Sequence, residues 1–329
     1  MNNQSLGNSG LTTTPVGLGL AALGRPGYIN LGHSEDLAHD YQVQSMEAHA
    51  HRVLDHAWKS GVRFFDMARS YGKAEVFVSS WLNDRGHSDF LLSSKWGYTY
   101  TADWQIQADA HEVKEHSLEF LNRQFSKSLD LLGDNLKLYQ IHSATLDSGV
   151  LDNQPVLQRL HELKQDGLAI GLSVSGEHQS DVIRKAIGIK FDGQCLFNTC
   201  QTTWNVLETS ATAALNEAHQ SGMGIIVKES LANGRLTDRN TADDFQEKRA
   251  LLEELANHHQ TTIDAVALAA VLAQPWAGAV LSGAASEAHL TSNLQATEIS
   301  LSSDQIEQLT NIAEPAAQYW STRSALAWN

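Results

Sequence analysis

Eight short runs of β-branched or aliphatic residues recur along the chain with longer segments of helical period between them, almost from end to end. The expected strands cover residues 16–22, 62–66, 90–95, 136–142, 169–174, 195–201, 224–228 and 279–282. Amphipathic stretches at 47–59, 117–132, 156–165, 209–220, 251–259 and 263–272 separate them. A parallel neighbour cannot be reached by a tight turn, so each strand needs a crossover segment, and helices supply it. Eight such units favour a closed (β/α)8 TIM barrel over an open sheet. The 329 residues alone would fit one large domain or two ordinary ones, and the unbroken alternation predicts a single domain over 1–329. The tail, 315–329, lies beyond the last helix and carries Tyr319, Trp320 and Trp328, so it is expected to fold back over the barrel.

Net charge narrows the partners. At −15 with a pI near 5.4, the chain repels nucleic acid and anionic membrane surfaces at long range, although local cations and helix N-termini can still hold a small anion. Residues 1–15 are mostly Asn, Ser, Thr and Gly, with no basic or apolar leader, and no run of about 18 apolar residues follows. A cytoplasmic protein is expected. Cys195 and Cys200 fall in one expected strand with side chains on opposite faces, which argues against a disulfide.

Three motifs are set aside. In Gly17-Leu18-Gly19-Leu20-Ala21-Ala22-Leu23-Gly24 the third glycine comes two positions late for a dinucleotide fingerprint, and no helix begins there. His111 and His116 are five apart, about 140° around a helix, so a solvated helix start is expected and no metal site. Gly171-Leu172-Ser173-Val174-Ser175-Gly176 misses the G-x-S-x-G pattern by one residue.

What remains is a set of strand ends. Asp66 closes the second expected strand, Tyr71 follows in its loop, Lys95 closes the third and His142 the fourth. A barrel gathers these ends on one face. Reducing a carbonyl creates an alkoxide, which needs a proton donor within hydrogen-bond reach. A phenol can serve if a cation stabilises its phenolate; Lys95 can provide that charge, Asp66 can keep Lys95 charged, and His142 can orient the carbonyl oxygen.

With these residues the sequence resembles the aldo-keto reductase superfamily over nearly its whole length. The family pattern of Asp, Thr, Ala, then Tyr-Gly and a later Glu reads here as Asp66, Met67, Ala68, Tyr71-Gly72 and Glu75. The resemblance implies a nicotinamide-dependent oxidoreductase acting on a small carbonyl or alcohol, with Asp66, Tyr71, Lys95 and His142 catalytic and no metal. It implies cofactor contacts at Ser173, Gln201, Lys228, Ser230, Leu231, Asn233, Gly234, Arg235, Ser282, Gly283, Ala284, His289 and Asn293. Two contacts depart from the family: Val174 replaces the usual Asn, and Lys228 replaces an aromatic ring. Gly283, Ala284 and His289 stand where Lys, Ser and Arg usually bind a 2′-phosphate. With His289 and the loop cations Arg235, Arg239, Lys248 and Arg249 available, NADP(H) is favoured, with NAD(H) possible. An apolar substrate pocket walled by Tyr28, Trp96, Trp204 and Trp320 is expected. The β subunits of potassium channels resemble the same family, so a cofactor-bound regulatory subunit is the alternative of a different class, and an NAD-dependent sugar dehydrogenase the alternative among enzymes.

Overall fold

A computed structural model describes residues 2–329. Its centre is a closed barrel of eight parallel strands: β1 (Val16–Gly19), β2 (Phe64–Asp66), β3 (Leu91–Trp96), β4 (Leu136–Ala144), β5 (Ala169–Val174), β6 (Thr199–Thr203), β7 (Gly224–Lys228) and β8 (Ala279–Ser282). Each strand pairs with its sequence neighbours, and Leu281 of β8 registers with Gly17 of β1 to close the ring. This is the fold the alternation predicts. No helix among the described residues is long and apolar enough to cross a membrane.

The helices bury their apolar stripes against the outside of the strands, where Val53, Leu54, Phe65, Trp81, Tyr139 and Leu160 have essentially no exposure. Burying each large side chain contributes about 1.5–3 kcal/mol. Inside the barrel a smaller cluster of Leu6, Phe64, Leu91, Leu138 and Ile226 fills the end from which the strands start. Leu6 belongs to an N-terminal hairpin, Gln4–Ser5 paired with Thr12–Thr13, which stoppers that end. At Gly224 a Cβ would collide with the backbone of Leu6, so glycine is needed for the stopper to seat.

Three sequence expectations change. β1 ends at Gly19 rather than residue 22, because the chain turns, Leu23 and Gly24 donating back to the Leu20 carbonyl. The sixth strand starts at Thr199; Cys195 instead pairs with Lys190 in a separate hairpin. Asp192 and Gly193 both take left-handed φ there, at 49° and 77°, as a tight hairpin turn requires. Cys195 and Cys200, both free, therefore lie in different elements. Residues 112–114 are not a helix start but a strand paired with Tyr98–Tyr100, and the helix begins only at Leu118, capped by the Ser117 hydroxyl. As expected, the tail does return over the barrel: its helix, Ala316–Ser324, inserts Tyr319, whose hydroxyl accepts from Asn205 at 2.9 Å.

Candidate active site

The strand ends opposite the hairpin stopper open into a cavity of about 1120 Å³. Lys95 and Asp66 meet at its floor. The Lys95 ammonium donates to Asp66 Oδ2 at 2.5 Å and to the Met67 carbonyl at 2.8 Å. Asp66 Oδ1 accepts from Ser93 at 2.5 Å, Gln201 at 3.1 Å and Gln140 at 3.2 Å. These five hydrogen bonds make burial of the ion pair tolerable. Burial lowers the Lys95 pKa, and Asp66 opposes that shift.

Tyr71 lies over this pair, its ring centroid 5.0 Å from the Lys95 ammonium and 5.5 Å from the His142 imidazole, nearly perpendicular at 82°. Its loop is tightly held. Gly72 takes φ +57°, and a Cβ on Gly24 would strike the Tyr71 carbonyl and Ala74. Glu75 is buried behind the loop, accepting from Ser94 at 2.5 Å, Ser128 at 2.8 Å and the Arg69 guanidinium. The family-like glutamate thus anchors the segment that presents Tyr71.

Burial, reinforced by the charges of Asp66 and Glu112, holds the Tyr71 phenol above its ordinary pKa, while Arg25 works against the rise. Desolvation, then the charges of Lys95 and Lys228, pushes His142 well below the ordinary histidine value. At neutral pH both groups are uncharged, a phenol and an imidazole, and either can donate a hydrogen bond to a carbonyl oxygen.

Of the four expected pocket aromatics, Tyr28 faces the cavity and three do not. Trp96 follows Lys95 in β3, so alternation turns it outward, fully buried and edge-on to His116. Trp204 packs against Trp276 and donates to Thr212 at 2.9 Å. Trp320 packs on the outer core beneath Arg323. The walls are built instead from Tyr28, Tyr98 and Trp328. Trp328 is held by stacking on His111, with centroids 3.7 Å and planes 7° apart.

The cavity extends from this aromatic end along β7 and β8. Gln201, Lys228, Ser230, Leu231, Asn233, Gly234, Ser282, Gly283, Ala284, His289 and Asn293 all line it. Ser173 and Arg235 do not: Ser173 accepts from the Ser143 backbone at 2.8 Å, and Arg235 pairs with Glu314. Lys228, in place of a ring, donates to Thr203 at 2.7 Å, and burial lowers its pKa to about 8. Glu229 follows with a left-handed φ of 54° and pairs with Arg323 from the tail helix.

Whether a nucleotide suits this half can be tested on unpaired atoms. Ser230 Oγ and Asn233 Oδ1 are buried there without a hydrogen-bond partner, an arrangement that is destabilising unless a ligand completes it. The helix Glu287–Leu294, capped by Ser286, starts at the far end, where its first N–H groups favour an anion. The residues present fit a dinucleotide. Near that helix Arg239 donates to Asp36 at 2.9 Å, Arg249 to Glu253 at 2.7 Å, and His289 lies 3.6 Å from Asp36.

The sequence model of the Aldo/keto reductase family matches residues 16–314. The chain is 24% identical to the aldo-keto reductase Str7 of Strobilurus tenacellus over 90% of its own length and 87% of that protein. It is 26% identical to protein Tas of Escherichia coli, covering 81% of this chain and 89% of that one. Among solved structures, the holo form of aldo-keto reductase AKR11C1 from Bacillus halodurans superposes with a TM-score of 0.76 at 21% identity, over 97% of this chain and 99% of that one.

Proposed function

Because the chain belongs to the aldo/keto reductase family, and so is an oxidoreductase, we propose that it interconverts a carbonyl and its alcohol using a nicotinamide dinucleotide, with Tyr71 as the general acid and base. The observation that carries this reading is the convergence of Asp66, Lys95, Tyr71 and His142 at one end of a cavity of about 1120 Å³.

When bound, the dihydronicotinamide supplies the hydride. The protein residues manage the oxygen. His142, neutral, aims the carbonyl oxygen, and Tyr71 delivers its proton as negative charge develops. Lys95, fixed by Asp66 and the Met67 carbonyl, steadies the phenolate that remains. In the oxidising direction the same groups run in reverse. Ser230, Asn233 and the helix starting at Glu287 would hold the pyrophosphate and adenosine portions.

The sequence expectation favours NADP(H), yet the charges at the adenosine end support a different preference. Arg239 and Arg249 are engaged by Asp36 and Glu253, and Asp264 adds a further carboxylate to the lining. A 2′-phosphate would meet more negative than free positive charge. NAD(H) therefore binds at least as tightly as NADP(H). Fluorescence titration with each nucleotide, followed by assay on a panel of aldehydes, tests both statements. A much tighter Kd for NADPH overturns the cofactor preference, and binding without turnover of any aldehyde or ketone overturns the enzymatic reading in favour of a regulatory one.

A further inference from the structure

Arg25 sits in the substrate end of the cavity with part of its hydrogen-bonding capacity unused. It is only 3% exposed, and its guanidinium carbon lies 5.3 Å from the ring centroids of both Tyr28 and Tyr71 and 4.9 Å from that of Trp328. Nη1 donates to the Ser70 carbonyl at 3.1 Å and to Glu112 at 2.6 Å. Nε is buried with no partner, and Nη2 makes no hydrogen bond among the described residues. The free edge of the guanidinium is the one whose two parallel N–H bonds match a carboxylate.

The surrounding charge points the same way. With Lys95 matched by Asp66, the lining of this end presents Arg25, Lys114, Lys228 and Arg323 against only two carboxylates, Glu112 and Glu229. Lys114 has no carboxylate within ion-pair distance; its ammonium donates to the Ser143 carbonyl at 3.0 Å, above the Tyr98 ring. Arg25 is paired with Glu112 and Arg323 with Glu229, so the cations this end holds in excess are Lys228, whose pKa burial lowers to about 8, and the exposed Lys114. An anion entering this end meets that excess as an attractive charge.

We propose that the substrate is an aldehyde or ketone that also carries a carboxylate, and that Arg25 is the specificity-determining residue that holds this carboxylate while Tyr71 takes the carbonyl. The inference rests on the carbonyl-reducing reading above and names the substrate class for it. Tyr28, Tyr98 and Trp328 fit the flat body between the two groups, so aryl or short unsaturated oxo-acids suit the site better than hydroxylated chains.

Two probes isolate the charge: 4-carboxybenzaldehyde and its neutral methyl ester, methyl 4-formylbenzoate. The acid should exceed the ester in kcat/KM by about tenfold or more, mostly through KM, and the preference should shrink as salt is raised. Arg25→Gln should remove most of that ratio, Arg25→Lys should restore part of it, and Lys114→Gln should lower it by a smaller factor. Binding of the alcohol product, 4-(hydroxymethyl)benzoate, followed through tryptophan fluorescence without nucleotide, gives a readout independent of turnover. Equal handling of acid and ester, or a ratio that survives Arg25→Gln, overturns the proposal and leaves Arg25 as a structural partner of Glu112. If Arg25→Gln fails to fold, the wild-type ratio with its salt dependence and the Lys114→Gln ratio still decide. Nucleotide binding and turnover of the ester without acid preference would refute the carboxylate reading alone; absence of nucleotide binding would refute the reductase reading, with product binding still deciding Arg25.

Discussion

Arg323 of the tail helix holds both oxygens of Glu229, its Nε lying 3.1 Å from Oε1 and 3.0 Å from Oε2. The pair fastens the tail to the end of β7 and keeps Glu229 in its left-handed backbone conformation. Arg323→Ala leaves a buried carboxylate facing only Lys228 and Thr203, and should lower stability by about 3 kcal/mol in urea unfolding. Burial alone would raise the Glu229 pKa, but Arg323 and Lys228 bring it down to about 2 from an ordinary 4.5. Its stabilising contribution is therefore complete above pH 4.5 and fades as pH falls through about 2. Arg323→Ala should lose less stability over that interval than the unmodified protein does.

Tyr71→Phe removes only the hydroxyl proposed to deliver the proton. The expected result is a fall in kcat of about a hundredfold or more with nucleotide Kd changed by less than about twofold. Wild-type kcat with the best aldehyde would exclude Tyr71 as the acid.

Stability should also decline in mild acid for a separate reason. His33 has no exposure and neither ring nitrogen has a partner, and desolvation lowers its pKa from 6.5 to about 4. Here the unfolded chain binds the proton more readily. The contribution is complete above pH 6.5 and is lost as pH falls towards 4, by about 3 kcal/mol at most. His33→Phe should flatten the melting temperature across that window; an unchanged slope would assign the acid sensitivity to other groups.

The two tryptophans, Trp204 and Trp328, should separate cleanly. Trp204→Ala opens the core beside Trp276 and should lower stability by about 3–5 kcal/mol without reordering substrate preference. Trp328→Ala should do the opposite, changing KM for aromatic aldehydes several-fold with little change in melting temperature. The measurement is a thermal melt paired with a substrate panel for each variant.

The fold and the floor of the cavity were readable because they follow from period and position. Lys95 is directed inward by strand alternation within an apolar run, and Asp66 and His142 close their own runs, so the barrel had to bring them together. The aromatic walls were not readable in that way. Trp96 and Trp204 adjoin strand ends just as a pocket residue would, and only the phase of β3 and the packing of Trp276 turn them away. Arg25 and Trp328 meet across 303 positions of sequence, through a tail whose path no local pattern encodes. The hairpin at 112–114 was hidden by histidines and charges that suit a helix start equally well, although the Asp192-Gly193 turn that displaced Cys195 from β6 did carry a recognisable hairpin signal.

The N-terminal stopper gives the molecule two poles with different duties. Leu6 and the apolar side chains beneath it hold the barrel's girth from one end, while every atom expected to touch a reactant lies at the other. A laboratory lineage selected for new substrates could redraw Tyr28, Tyr98 and Trp328 while the base carries the thermal margin undisturbed. Conversely, repacking around Leu6 is the natural place to raise heat tolerance before such a campaign begins, since gains made there need not be traded against turnover.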